Sequence, residues 1–298
     1  MRVAIVGAEG QLGQDASEAF IDAGYQVFGL KHREIEVSDI DSVATVLRQL
    51  KPELIVNVAA MHHVERCEQD PKLAFAVNAM GPRNLGMVAR DLGAILMQIS
   101  TDYVFDGCKK TPYYEDDLPS PLNTYGNTKL AGEYYASSTV DRHIILRTSG
   151  LYGRHPCRGK GGLNFVDLML KLGRERGKVR VVASEEITPT STRELALQMV
   201  MLSQSNSFGL FHATAEGSCS WYEFAKEIFA AAKLPTTVEV ADPKEFPAKV
   251  PRPSYSVLEN RALKAQSLNC FRPWQEGLRQ YLISGTAEDV KVPMHLMS

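Results

Sequence analysis

Tyr125-Gly126-Asn127-Thr128-Lys129 sets a phenol and an ammonium four residues apart, and on a helix that spacing puts both side chains on one face, one turn apart. A free phenol titrates near ~10 and is a weak acid at neutral pH. An ammonium beside it favours the phenolate and brings the phenol toward the working range. The same ammonium can hydrogen-bond a nicotinamide ribose. Thr101, in Ile99-Ser100-Thr101-Asp102-Tyr103, can donate a hydrogen bond to a carbonyl oxygen that Tyr125 protonates. These three residues imply proton delivery to a ketone, and that chemistry needs a hydride from elsewhere.

Gly7-Ala8-Glu9-Gly10-Gln11-Leu12-Gly13 reads G-x-x-G-x-x-G, after an apolar run and before a helical pattern. In that context the motif is a dinucleotide-binding turn. One glycine permits the tight turn, a second lets the backbone approach a pyrophosphate, and the third lets helix and strand pack closely. The helix start adds free N–H groups and partial positive charge. An acid about 20 residues beyond the motif marks NAD sites. Here Lys31-His32-Arg33 comes first, with Glu34 and Glu36 after it. Lys31 and Arg33 suit a 2′-phosphate, so NADPH is the expected cofactor and NADH the alternative.

The elements that must carry these residues follow a simple alternation. Val3–Val6 is a buried strand, and Leu12, Ala16, Ala19, Phe20 and Ala23 recur at helical spacing up to Gly24. Strand Gln26–Leu30 follows, then a helix capped by Ser38 with Ile40, Val43, Leu47 and Leu50 on one face. Strand Leu54–Ala59, a helix from Pro71 to Leu92, strand Ile95–Ile99, a helix from Tyr125 to Tyr135 and strand Ile144–Arg147 continue the pattern. The expected fold class is α/β, a doubly wound parallel-sheet Rossmann domain with a smaller, mixed C-terminal substrate domain. The dinucleotide-binding part covers 1–150 and is rejoined at about 190–215, where Gly209–His212 returns to the sheet. Residues 151–189 and 216–298 form the smaller part. It includes a basic glycine-rich loop at 153–162, a helical pattern at Phe165–Leu172, a strand at Val179–Val182 and irregular, proline-rich chain at 235–256.

Composition closes off other classes. The chain has 298 residues, 44% hydrophobic and 23% charged, enough for a packed core and unlike a disordered chain. The net charge of −2, with no basic cluster, argues against nucleic acid. No run approaches the roughly 18 apolar residues that span a bilayer, and no leader pattern precedes the first strand. Five scattered cysteines without C-x-x-C suit a reduced, cytoplasmic protein.

Several segments then carry a resemblance: Gly10–Gly13, Asn57–Glu68, Phe75–Asn78, Ser100–Gly107, Pro121–Gly126, Lys129–Glu133, Leu146–Ser149, Ser220–Ala225, and Arg252-Pro253 with Ser256–Leu258. On these the chain resembles the extended short-chain dehydrogenase/reductase superfamily and, more narrowly, the dTDP-4-dehydrorhamnose reductase family; Ser-Thr-Asp-Tyr-Val-Phe-Asp-Gly is the most specific stretch. The resemblance implies NADPH- or NADH-dependent reduction of the C4 ketone of a nucleotide-linked 6-deoxysugar, dTDP-4-dehydro-L-rhamnose being the expected one. Catalytic residues are then Thr101, Tyr125 and Lys129. The cofactor site comprises Gly7, Gly10, Gln11, Leu12, Gly13, Lys31, Arg33, Ala59, Ala60 and Met61, with Tyr125 and Lys129. Thr101, Asp102, Tyr103, Asn164 and Arg252 face the substrate. The partner is a small-molecule nucleotide sugar, with neither nucleic acid nor membrane; a homodimer stays open. The alternatives are a non-catalytic partner similar to the methionine adenosyltransferase beta subunit, or another sugar-nucleotide reductase or epimerase. A dehydratase needs an Asp-Glu pair after the threonine, and Tyr103 stands in the second place.

Three departures fall on the substrate side: Gly150 where the family usually has tryptophan, the altered Ser184–Thr190 motif, and Met61 after Ala59-Ala60. His62, His63, Glu65, Cys67 and Glu68 resemble metal ligands by type but lack zinc spacing, so no metal is expected. Arg252 and the loop residues Arg154, Arg158 and Lys160 could meet a diphosphate. Trp221, Tyr222 and Phe224 could stack on a base but more often pack in a core.

Overall fold

The structure, a computed structural model, describes residues 1–156, 162–242 and 249–284. Strand β1 (Arg2–Val6) is followed by helix α1 (Gln11–Asp22), β2 (Gln26–Leu30) and α2 (Ile40–Leu50). Next come β3 (Leu54–Asn57), the short helices α3 (Val64–Gln69) and α4 (Pro71–Phe75), a π-helical turn at Ala76–Met80, and α5 (Gly81–Leu92). Strand β4 (Ile95–Thr101), α6 (Thr124–Thr139) and β5 (His143–Thr148) complete the first part.

The later chain holds β6 (Leu151–Tyr152), α7 (Phe165–Arg176), β7 (Lys178–Val181), β8 (Glu186–Ile187), β9 (Thr190–Ser191) and α8 (Thr192–Ser203). After these come β10 (Gly209–His212), β11 (Cys219–Ser220), α9 (Trp221–Ala231), β12 (Thr237–Val240), α10 (Arg261–Ala265) and α11 (Trp274–Ser284). Among the described residues no helix is long and apolar enough to cross a membrane.

The central sheet runs β10-β5-β4-β3-β1-β2, parallel throughout. Side chains alternate between faces along a strand, and here both faces are covered. Val3, Ile5, Leu54, Val56, Met97 and Leu146 pack with α1 and α8. Ala4, Val6, Ile55, Leu96 and Ile145 pack with α2, α5 and α6. That is why these strands read as continuous apolar runs. The strand order reverses direction at β1/β3, and ligands of open α/β sheets sit in the crevice beyond such a point.

A second core gathers Val166, Met169, Val179, Val181, Phe224, Ile228, Trp274 and Leu278 from α7, β7, α9 and α11. Ser220 and Glu223 form a capping box at the start of α9. Strand β12 pairs with β7 inside the stretch read as irregular, so residues 237–240 are more regular than their proline-rich surroundings suggest. The described part of that stretch is otherwise without helix or strand; 243–248 lie outside the described residues.

Two local expectations are corrected. Asp39, not Ser38, caps α2, accepting from Asp41 N at 3.0 Å, while the Ser38 hydroxyl donates to Glu36 Oε1 at 2.7 Å. The span 71–92 is not one helix. Asp70 caps α4 with Pro71 at its first position, and the π-helical turn interrupts the helical repeat before α5.

Candidate active site

Gly7 follows β1 with φ +89°, and a Cβ there would lie 2.8 Å from the Ala59 nitrogen. The loops after β1 and β3 therefore touch at the reversal point. A Cβ on Gly13 would lie 2.3 Å from the Gly7 carbonyl oxygen, so α1 packs directly on the turn. Gly10 starts α1 with no side-chain cap, which leaves the helix end suited to an anion. These features fit a dinucleotide pyrophosphate. The Leu12 side chain is buried in the core, so only its backbone belongs to the turn. Gln11 Nε2 donates to the carbonyls of Gly153 and His155, both at 3.0 Å, tying the later loop to the turn. Beyond β2, Lys31 Nζ lies 3.5 Å from Glu9, and Arg33 is exposed.

Thr101 is the last residue of β4, paired in register with Thr148. Its hydroxyl donates to Asp102 Oδ1 at 3.0 Å and accepts from Tyr103 N at 3.2 Å. Asp102 is buried, which pushes its carboxyl above the usual range, and Ser149 donates to its other oxygen at 2.7 Å. Asn123 caps α6 through Gly126 N at 2.9 Å and so sets the start of the helix carrying Tyr125 and Lys129. The Tyr125 ring meets Tyr103 edge-on, centroids 5.7 Å apart.

Here the electrostatics correct the expectation. Burial pushes the Tyr125 phenol above its ordinary value; Thr101 opposes the rise and Asp102 adds to it. Lys129 does not draw it down. Its ammonium donates to the Ile99 carbonyl at 2.5 Å, and burial lowers its own pKa to about 8, with Glu133 opposing. The phenol accordingly starts protonated, which is the form a proton donor requires.

The loop Ala59-Ala60-Met61 borders this centre. Ala59 N donates to Asn57 Oδ1 at 3.2 Å. Met61 N donates to Asn78 Oδ1, and Asn78 Nδ2 returns to Met61 O, both at 2.9 Å. Asn78 Nδ2 also reaches Thr128 Oγ1 on α6, at 3.1 Å. Asn78, buried in the π-helical turn, thus stitches the loop to α6. Sequence reasoning gave it no role, although such turns cluster at functional sites. Glu68, metal-type by residue and the last residue of the Asn57–Glu68 segment, has a different part here. It accepts from Thr124 N at 2.6 Å and Thr124 Oγ1 at 2.8 Å, beside Tyr125.

The other metal-type side chains of this loop are also engaged. Glu65 meets Arg252 and His63, and Cys67 Sγ donates to Met61 O at 3.3 Å. A different trio, Asp15, Glu18 and His155, brings possible ligand atoms within 4.8 Å of one another beside α1. His155 already faces both carboxylates there.

On the substrate side the residues separate. Burial pushes the pKa of the Tyr103 phenol up, Asp102 adds to the rise, and Arg252 is near enough for its charge to oppose it. Asn164 instead caps α7, and its amide is spent on Gly153 O, Asp167 and Tyr281. Gly150 has φ +57°, and a Cβ would lie 2.8 Å from Thr188 O, so the family's tryptophan does not fit this backbone. Thr188 and Thr190 of the altered motif are fully buried and bond backbone groups. Trp221 packs on Phe165 and donates to Glu185 at 3.1 Å. Phe224 is in the core, and Tyr222 lines a polar cavity of ≈ 620 Å³ with Ser184, Glu186 and Ser254. Arg154 is exposed; Arg158 and Lys160 lie outside the described residues.

A family model described as RmlD substrate binding domain matches residues 1–286. The chain is 37% identical to the spore coat polysaccharide biosynthesis protein SpsK of Bacillus subtilis, over 94% of this chain and 96% of that one. A solved dTDP-4-dehydrorhamnose reductase from Clostridium acetobutylicum superposes with TM-score 0.91 at 36% identity, covering 96% of this chain and all (100%) of that one. Another, from Bacillus anthracis in complex with NADP, gives TM-score 0.90 at 35% identity, with 95% and 99% covered. Family model, full-length relatives and matching architecture agree, and the chain belongs to the dTDP-4-dehydrorhamnose reductase family.

Proposed function

We propose that the protein reduces the C4 ketone of a nucleotide-linked 6-deoxysugar with NADPH, most specifically dTDP-4-dehydro-L-rhamnose to dTDP-L-rhamnose. The observation that carries this reading is the placement of the buried Tyr125 phenol beside Thr101 at the carboxyl edge of β4. The uncapped glycine turn at the β1/β3 reversal supports a dinucleotide in the same crevice.

NADPH, when bound, supplies the hydride that reaches the carbonyl carbon. The Thr101 hydroxyl, turned from Asp102, donates a hydrogen bond to the carbonyl oxygen and orients it. Tyr125 gives its phenolic proton to that oxygen as negative charge develops there. Lys129, charged below pH about 8 and held on the Ile99 carbonyl, holds the nicotinamide ribose. Gly7, Gly10, Gln11, Leu12 and Gly13 present backbone to the pyrophosphate, Lys31 and Arg33 meet the 2′-phosphate, and Ala59, Ala60 and Met61 border the nicotinamide. Asp102 and Tyr103 face the sugar, and Arg252 faces the diphosphate. Asn164 supports this surface through α7 rather than by touching substrate.

In this reading residues 1–150 with about 190–215 hold the cofactor, and 151–189 with 216–298 hold the sugar nucleotide. A cytoplasmic location belongs to the proposal; the free thiols of Cys67, Cys108, Cys219 and Cys270 suit a reducing compartment.

The test is NADPH oxidation with dTDP-4-dehydro-L-rhamnose, comparing the protein with Tyr125→Phe. Turnover should be lost in the variant while NADPH still binds. A protein that binds NADPH but oxidises none of it with this sugar would sink the rhamnose assignment. Undiminished turnover in the variant would remove Tyr125 as the acid.

A further inference from the structure

Arg252 is held from two directions, both leading back to the start of the catalytic helix. Its backbone is placed by the residue before it, since Asn123 Nδ2, from the cap of α6, donates to Pro251 O at 2.9 Å. Its side chain is placed by Glu65 of α3, whose Oε1 accepts from Arg252 Nη2 at 2.6 Å. The second Glu65 oxygen faces His63 Nδ1 at 3.2 Å. Helix α3 is itself anchored to α6 through Glu68 and Thr124.

Among the described residues, Arg252 Nε is buried without a partner. A guanidinium offers five donors in a rigid fork, so fixing one corner fixes where the rest point. Besides Glu65, its charge acts on Tyr103 and Glu185. A buried donor with no acceptor is costly until one arrives. An anionic oxygen is the acceptor that matches both the charge and the fork.

We propose that Glu65 is a positioning residue: through its ion pair it aims the Arg252 fork at the phosphate oxygens of the nucleotide sugar. This rests on the reductase reading above and adds the device that orients the anion-binding arm. Glu65 itself touches neither substrate nor cofactor. Its negative charge alone would weaken anion binding, so positioning and simple repulsion predict opposite signs on its removal.

The experiment is calorimetric titration of the full-length protein with dTDP, with NADPH titrated in parallel. Glu65→Ala should weaken dTDP binding by about tenfold, ~1.4 kcal/mol, and leave NADPH binding unchanged. Glu65→Gln keeps an acceptor for Nη2 and should lose less, separating orientation from charge. With Arg252→Ala already present, Glu65→Ala should add nothing, as expected for residues acting as one unit. In steady-state assays the effect should fall on KM for the sugar nucleotide, with kcat within about twofold, a pattern that marks lost ground-state binding. Equal or tighter dTDP binding in Glu65→Ala overturns the proposal, as do additive losses in the double variant or a wild type that binds no dTDP. A protein that binds dTDP as expected but turns over no keto sugar would instead overturn the reductase reading.

Discussion

Glu133 and Arg147 form a bidentate ion pair inside the protein, Oε1 to Nε at 2.9 Å and Oε2 to Nη2 at 2.7 Å. Both side chains are almost inaccessible, 5% and 3%. Glu133 lies one turn beyond Lys129, so Tyr125, Lys129 and Glu133 share a face of α6, and the pair fastens that face to β5. The Ser100 hydroxyl donates to the same carboxylate from β4. Removing one partner of a buried pair leaves a bare charge and costs ~3–5 kcal/mol, whereas removing both is far milder. Arg147→Met should therefore lose about that much in urea unfolding, and Glu133→Leu with Arg147→Met should recover most of it. A single-variant loss below ~1 kcal/mol would show that the pair does not anchor the helix.

Lys129 gives the site a pH dependence of definite sign. Its folded pKa, about 8, lies below the ordinary 10.5. Below about 8 the ammonium is present in the folded protein; between the two values the unfolded chain binds more protons. Raising pH through that window therefore stabilises the fold as far as this group is concerned, while the proposed ribose contact loses its charge. kcat/KM for NADPH, which reports the free enzyme, should fall above pH about 8. Lys129→Met should be poor throughout and lack that limb. A wild-type profile flat to the ordinary lysine range would refute the depressed value.

Gly150 should resist substitution. At φ +57° a side chain is strained, and a Cβ would lie 2.8 Å from Thr188 O. Gly150→Ala should cost ~1–3 kcal/mol, read as a lower denaturation midpoint. An unchanged midpoint would mean that the 188–190 segment moves aside freely.

Lys31 should set the choice between cofactors. It stands just past β2, 3.5 Å from Glu9, and a cation there favours a 2′-phosphate by charge-assisted hydrogen bonding. Lys31→Ala should raise KM for NADPH by about tenfold, ~1.4 kcal/mol, with little change for NADH. Equal losses for both would place the effect in the turn rather than at the 2′ position.

The alternation of short apolar strands with amphipathic helices, the glycine turn and the Tyr125/Lys129 spacing were all legible along the chain. Each is a local pattern: an uninterrupted apolar run in the strands, period 3.6 in the helices, and a turn whose glycines are needed by their immediate neighbours. Even the return of Gly209–His212 to the sheet could be read this way. What stayed hidden depends on where distant residues meet. Glu65 and Arg252 are 187 positions apart, and neither segment carries a mark of the other. Asn164 has a helix-capping residue type, yet only packing shows that Gly153, Asp167 and Tyr281 consume its amide. The Tyr125 and Lys129 protonation states follow the same logic. Spacing put an ammonium beside a phenol, but burial and the Ile99 carbonyl decided where that ammonium went. Desolvation is a property of the assembled core, and no window of sequence contains it.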